Sequence, residues 1–594
     1  MTTPLRTPPP SVEVDHRADG SILLRSPLPL PRVRQSLPHI FDETADAHPD
    51  RLFMRQRTAP GGPWRDISYR DARRAANGLA QWLIDQGLQP GACVAYLSAP
   101  SIEHGIVAVA TQRAGIAIAP VSVAYSLLST DHAKLRACIV KPGAKIVFVD
   151  DATMFGPAMR ALADLDVKFV AVKGAAEGIE AVPFAEVIAT EPGPEVARRM
   201  AAITPDMTAR IMHTSGSTGS PKATPQPQSN MTLTVAQIEA IGLLDFGGEG
   251  PQHLEAMPFS HIMAGNFNFA NVIRAGGTIH IDDGKPTPEL FPRTIANLRE
   301  VSPHFFITVP LGYVMLCDAM EADDALRDSF FRNMRYIGFG GAVLPEAVKD
   351  RLLALSRAAL GHELPIFSFY GATEYLFGTL KYWTGGRTDV IGLPLPGTDL
   401  KMQPVDGRYE LRVKGPTLMP RSGYLGAPEA SADLFDDEGY YRTGDAVHFA
   451  DPDKPEEGLV FGGRIADDFK LTSGTFVSVN ALRNDLIDAA APLLREVVLC
   501  GLNEAHVGAL VWPSDPGLPD LRERVTGAIA TFNAGQSGSS RRIKTAIIET
   551  QPLSFDAGEL TDKGNISPRV IRSRRSDAVA DLFADAPTRD VLAF

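Results

Sequence analysis

The densest chemical signal in the chain is the run Thr214-Ser215-Gly216-Ser217-Thr218-Gly219-Ser220-Pro221-Lys222. Hydroxylated side chains alternate with glycines, so backbone N–H groups and Oγ donors can converge on one anion, and the closing lysine adds positive charge. Polyphosphate binding calls for that combination. The competing reading is a flexible Ser/Gly surface loop. A strand-like run at 209–212 before the segment and the lysine after it favour the anion site.

Other enzyme signatures fail at single positions. A Walker loop needs G-x-x-x-x-G-K-[ST], whereas the lysine here sits in Pro221-Lys222-Ala223. A nucleophile elbow centred on Ser217 would need glycine where Ser215 stands. Gly338-Phe339-Gly340-Gly341-Ala342-Val343 ends in Val343, where a dinucleotide fingerprint wants Gly or Ala. His362-Glu363 is followed by Ile366 where a zincin needs its second histidine. Cys93, Cys138, Cys317 and Cys500 are scattered and form no C-x-x-C pair, which argues against a zinc ribbon or a disulfide framework and fits a reducing cytoplasm.

The elements that must position the loop follow from the patterning. The 594 residues, 44% of them hydrophobic, can bury several cores. The net charge of −12 speaks against a general nucleic-acid or anionic-membrane binder, without excluding a local basic pocket for a phosphorylated ligand. Residues 71–86 form an amphipathic helix stopped by Gly87, and 92–97, 144–149 and 167–172 read as buried strands. This alternation predicts an α/β fold with a largely parallel sheet and helices on both faces. Pro-rich stretches at 7–10 and 27–31 suggest that 1–36 is a mobile or surface-draped arm. The most apolar stretch, 105–123, is broken by Gln112, Arg113 and Pro120, so no membrane span is expected.

After Gly392 the texture becomes Gly/Pro/Asp-rich with an alternating strand at 408–413, a β-rich subdomain over about 392–463. Beyond it, strand-like pieces at 476–479, 496–500 and 545–549 flank helical ones at 481–489 and 521–532. A large domain over 37–465 and a small α+β domain over 466–594 are therefore expected.

With further motifs in order, the chain resembles the adenylate-forming superfamily of acyl-CoA synthetases, luciferases and peptide-synthetase adenylation domains. These are Met257-Pro258-Phe259-Ser260-His261, Gly340-Gly341-Ala342-Val343-Leu344, Tyr370-Gly371-Ala372-Thr373-Glu374, Gly423-Tyr424, Tyr441-Arg442-Thr443-Gly444-Asp445, Gly463-Arg464-Ile465 and Gly558-Glu559-Leu560-Thr561-Asp562-Lys563. The resemblance implies that Thr214, Ser215, Gly216, Ser217, Thr218 and Gly219 cradle the phosphates of ATP, with Lys222 as an additional contributor. Glu374 holds Mg²⁺ and Thr373, beside Tyr370 and Gly371, donates to the α-phosphate. Gly340, Gly341 and Ala342 lie against adenine, Asp445 accepts from the ribose hydroxyls, and Arg464 contacts the nucleotide. Lys563 reaches the α-phosphate and the acyl carboxylate, and His261 gates the passage between acyl pocket and thiol tunnel. Each has an ordinary reading too: a surface acid for Glu374, a turn for Gly444-Asp445, a solvated residue for Arg464 and Lys563, a core histidine for His261.

The stretch from Arg464 to Gly474 departs from the superfamily pattern by one residue, leaving the hinge at either Ala466 or Asp467, and Asp562-Lys563-Gly564-Asn565-Ile566 lacks the commoner Gly-Lys-Ile order. Gly265-Asn266-Phe267-Asn268-Phe269, Asp282-Asp283-Gly284-Lys285-Pro286, Val309-Pro310-Leu311-Gly312-Tyr313 and Asp468-Phe469-Lys470-Leu471-Thr472 look like bacterial feruloyl-CoA synthases. That implies ATP-dependent activation of ferulate and transfer to coenzyme A in the cytoplasm, with the small domain rotating between the two steps. Phe267, Tyr313, Phe339 and Phe369 are the candidate linings of a flat aromatic pocket, each equally an ordinary core residue. The rival expectations are a ligase for another aromatic or medium-chain acid, or a non-catalytic nucleotide-binding relative. The oligomeric state, monomer or homodimer, stays open.

Overall fold

The computed structural model of the protein describes residues 5, 7–214, 220–562 and 564–594. The expected α/β alternation is present. The first amphipathic helix runs Tyr69–Asp85, begins where Ser68 Oγ accepts the Asp71 N–H, and ends before Gly87, whose φ of +80° gives the left-handed turn that stops a helix. Its apolar face, including Ala72, Ala76, Leu79 and Leu83, joins a core shared by two large sheets. Helix Ile102–Arg113 is buried on every side, so it shows no amphipathic pattern, and its buried charges are paired, Glu103 with Arg65 and Arg113 with Asp42.

A seven-stranded sheet runs in the order Lys222–Pro227, Thr208–Thr214, Ala117–Val121, Cys93–Leu97, Ile146–Asp151, Lys168–Lys173 and Ala181–Pro183. All its neighbours are parallel except the first two, which form an antiparallel hairpin. A fifteen-stranded sheet holds a parallel block, Leu52–Arg57, Thr278–Ile281, Gln252–Glu255, Phe305–Thr308, Tyr336–Gly340 and Ile366–Tyr370. Beyond Ile366–Tyr370 it continues as antiparallel strands, among them Asp399–Val405, Arg408–Lys414, Tyr441–Phe449 and Leu459–Arg464.

The N-terminal region, expected as a mobile or surface-draped arm, contributes two strands instead. Glu13–His16 and Ile22–Arg25 form a hairpin that completes the edge of the fifteen-stranded sheet, with Leu24 opposite Leu400. Ile22, Leu23 and Leu24 are buried. The prolines drew attention to the flanks, while the short apolar run between them finds a pairing edge far away in the sequence.

The C-terminal region builds a four-stranded sheet from Leu494–Cys500, Val507–Pro513, Ile543–Ile548 and Leu592–Ala593, flanked by helices Val479–Ala489 and Leu521–Ala534. Its two apolar clusters draw only on residues from Phe469 onward. Ala466 and Asp467 lie in the turn between the last strand of the large sheet and Phe469, where the Asp467 N–H returns to Arg464 O at 3.2 Å. Among the described residues no helix is long and apolar enough to cross a membrane.

Candidate active site

Strand Ile366–Tyr370 closes the parallel block, and the carboxyl ends of parallel strands are where an α/β sheet presents unpaired backbone groups to ligands. There the chain folds back sharply. A Cβ on Gly371 would stand 1.6 Å from Leu376 O, so only glycine fits. Leu376 itself takes a left-handed φ of +57°. This tight turn carries Thr373 and Glu374. Gln226 Nε2, from the Lys222–Pro227 strand, donates to Thr373 O at 2.8 Å, and Tyr424 Oη donates to Glu374 Oε1 at 2.7 Å. Glu374 is 9% exposed, and the Tyr424 bond occupies Oε1. One carboxylate held in this way suits a hard cation whose remaining ligands are phosphate oxygens and water. Among the described residues no group of three or more His, Cys, Asp or Glu could hold a metal by itself.

A second network lies on neighbouring strands. Tyr370 Oη donates to Asp445 Oδ2 at 2.5 Å, and Arg464 Nε stands 2.9 Å from Asp445 Oδ1. Asp445 and Arg464 face each other in register across paired strands, so the sheet sets their separation. Burial of Asp445, 4% exposed, raises its pKa above the ordinary carboxylate value although Arg464 and Tyr370 pull the other way. Burial works most strongly against the Arg464 charge, but Asp445 together with Tyr370, Tyr375 and Tyr441 outweighs it and holds the guanidinium pKa up. Asp445 Oδ1 has the ion pair but no aligned hydrogen bond. A buried acceptor in that state fits a ligand hydroxyl.

The Ser/Gly segment closes the hairpin between Thr208–Thr214 and Lys222–Pro227, with Thr214 paired to Lys222 at its base. Ser215, Gly216, Ser217, Thr218 and Gly219 lie outside the described residues, as does Lys563. A lysine that opens a strand replaces the strand-to-helix arrangement of a Walker loop. Lys222 Nζ sits over the Tyr424 ring at 4.7 Å, and the Leu425 N–H reaches Ala223 O at 2.9 Å. Lys222, Tyr424 and Glu374 thus form one contiguous chain of contacts. Lys141 Nζ grips the loop base, donating to Ser220 Oγ at 2.9 Å and to Pro221 O at 2.5 Å.

Gly340, Gly341 and Ala342 follow the neighbouring strand Tyr336–Gly340. A Cβ on Gly340 would meet Phe369 O at 2.8 Å, while Gly341 has φ +78° with open space beside it. The two glycines serve different ends, close strand packing and a turn. Gly341 and Ala342 are exposed, as a surface for a flat ring requires.

His261 precedes a short π-helical stretch, Met263–Asn268, a geometry that recurs at functional sites. Its Nδ1 accepts the Met263 N–H at 3.3 Å. Phe267 on that stretch packs edge-on against Phe369 at 5.5 Å and Phe377 at 4.7 Å. Tyr313 and Phe339 do not join them. Side chains alternate along Tyr336–Gly340, so Phe339 points to the opposite face of the sheet, into the cluster that also holds Tyr313. Tyr313 Oη spends its hydrogen-bonding capacity on Phe306 O at 2.9 Å and Gly338 O at 2.6 Å. All four expected pocket residues are buried in apolar clusters, Phe267 and Phe369 in one and Tyr313 and Phe339 in another.

Sequence reasoning quoted Tyr424 only within a motif and missed Gln226, Lys141 and Phe377. No local pattern marks them, since each acts on a residue far away in sequence.

The family described as AMP-binding enzyme matches residues 41–425, and the chain belongs to it. A carboxylic acid reductase of Mycobacterium marinum is 25% identical over 92% of this chain and 50% of its own length. The chain thus spans about half the length of the curated reductases it matches. Long-chain-fatty-acid–CoA ligase FadD15 of Mycobacterium bovis is 24% identical over 88% of this chain and 93% of its own. The structure of ATP-bound MatB from Rhodopseudomonas palustris superposes with a TM-score of 0.68 at 22% identity, covering 91% of this chain and 99% of that one.

Proposed function

We propose that the protein joins a carboxylic acid to AMP, releasing pyrophosphate, and then passes the acyl group to the thiol of coenzyme A. A carboxylate is a poor electrophile, and the mixed anhydride with AMP gives it a good leaving group. Two networks carry this reading: Tyr370–Asp445–Arg464, suited to a ribose, and Lys222–Tyr424–Glu374, suited to a phosphate-bound Mg²⁺. Thr214 to Gly219 would cradle the phosphates, Thr373 would donate to the α-phosphate, and Gly340 to Ala342 would face adenine. Lys563 would stabilise charge at phosphorus during the first step only. His261 would gate thiol access, and the turn at Ala466–Asp467 would let residues 466–594 rotate between steps.

The acid we favour is ferulate or a related hydroxycinnamate. The feruloyl-CoA synthase-like motifs of the sequence support it. The reductases among the relatives favour a second reading, in which the activated acyl group is handed to a reductive step rather than to coenzyme A. Pyrophosphate release with ATP and Mg²⁺ across ferulate, coumarate, caffeate, benzoate and octanoate, with and without coenzyme A and with mass detection of thioester, separates these. The expected result is hydroxycinnamate preference with coenzyme A-dependent thioester. Acid-dependent pyrophosphate without thioester selects the second reading, and no pyrophosphate with any acid discards both.

A further inference from the structure

The loop just before Lys563 is docked on the body of the protein. Asp556 Oδ2 accepts from the Thr130 N–H at 3.0 Å and from Thr130 Oγ1 at 2.7 Å. Lys134 Nζ donates to Phe555 O and lies 4.5 Å from the Phe555 ring centre, whose other neighbour is Tyr125 at 5.9 Å. Phe555 packs against the apolar cluster of the seven-stranded sheet and joins neither cluster of its own C-terminal unit. The receiving segment continues into helix Ala133–Val140, at whose far end Lys141 holds Ser220 and Pro221 at the base of the Ser/Gly loop. One helix therefore touches the supports of both loops.

We propose that Phe555 and Asp556 are positioning residues, a detachable latch that seats residues 553–562 on residues 125–134, and that helix Ala133–Val140 sets this segment in register with Ser220 and Pro221. The latch rests on the two-step reading above for its role, but not for its existence. Its bonds are few, and a handful of hydrogen bonds is what a contact made and broken in every cycle requires. Tyr125 and Phe555 supply apolar area without a covalent or fully buried tie.

The test uses the full chain with spin labels at Met154→Cys in the body and Leu502→Cys in the C-terminal unit, both exposed, while all four native cysteines are buried. We expect a narrow distance distribution, broadened by Asp556→Ala and restored by Asp556→Asn, which keeps the acceptor oxygen. A distribution that Asp556→Ala leaves unchanged overturns the latch. With an accepted acid, Asp556→Ala should slow adenylate formation roughly tenfold and spare thioester formation from supplied acyl-adenylate. Equal loss in both steps overturns the positioning role. Combining Asp556→Ala with Lys141→Ala should give a loss smaller than the product of the single losses, and simple multiplication overturns the shared register. Absence of any adenylate in the unsubstituted protein would discard the functional reading, while the distance measurement would still decide the latch.

Discussion

Asp445 and Asp556 are both carboxylates that receive hydrogen bonds, yet their surroundings differ in kind. Asp445 lies within a sheet, and its partners Arg464 and Tyr370 come from that same sheet. Asp556 sits on a loop of the C-terminal unit, and its partner Thr130 belongs to the other end of the chain. The first arrangement is assembled by strand pairing and persists in every state of the folded body. The second exists only while two units touch. Groups required throughout a reaction cycle are built into sheets, and groups required for part of it are delivered by loops.

The largest expected effect comes from the delivered side. Lys563→Ala should abolish adenylate formation and leave thioester formation from supplied acyl-adenylate intact, with equal loss of both sinking the division between fixed and delivered groups. On the fixed side, Asp445→Ala leaves Arg464 without its buried partner. Arg464 keeps 57% of its side-chain surface exposed, so the loss is that of a hydrogen bond to a charged group, about 1.5–3 kcal/mol, or roughly 10- to 100-fold in the rate of pyrophosphate release. A loss of less than tenfold would erase the contrast with Asp556. Gly371→Ala drives a methyl group into Leu376 O, and overpacking of this kind costs about 1–3 kcal/mol, read as a lowered denaturation midpoint. Activity lost without any fall in stability would show that the turn serves the ligand alone.

The smallest effect concerns His280, a buried residue of the fixed body whose Nε2 lies 2.8 Å from Gln252 Oε1. Burial, aided by Arg55 and His253, pushes its pKa down to about 3 from an ordinary 6.5. Below about 6.5 the unfolded chain takes up a proton that the folded chain refuses, so stability falls as the pH drops from about 6.5 toward about 3. One such group adds a slope of up to about 1.4 kcal/mol per pH unit. Urea titrations from pH 6.5 downward should show a shallower slope in His280→Gln, and identical slopes would remove this acid sensitivity from the fixed body.

The elements were largely legible because their periodicities are local. The expected helix at 521–532 is observed as Leu521–Ala534, and the strand at 496–500 as Leu494–Cys500. Glu374, Asp445 and Arg464 were legible as motif residues, and the fold gives Glu374 the Tyr424 hydroxyl as a partner and pairs Asp445 with Arg464. What escaped depends on contacts between distant segments. No rule of spacing tells that Ile22–Arg25 pairs with Asp399–Val405, that Phe339 turns its back on Phe369, or that Tyr313 is satisfied by two carbonyl oxygens. Composition suggested an arm where tertiary pairing makes a strand, and proximity in sequence suggested a pocket where the pleat of a strand separates two faces.

The hairpin at Glu13–Arg25 also constrains the order of assembly. Its partner strand Asp399–Val405 is made several hundred residues later, so during synthesis the hairpin must wait, unpaired, until most of the body has emerged from the ribosome. Edge completion is then among the last steps in forming the large sheet. A bulky fusion ahead of Glu13 would burden that closing step, leaving the earlier-formed parallel block untouched.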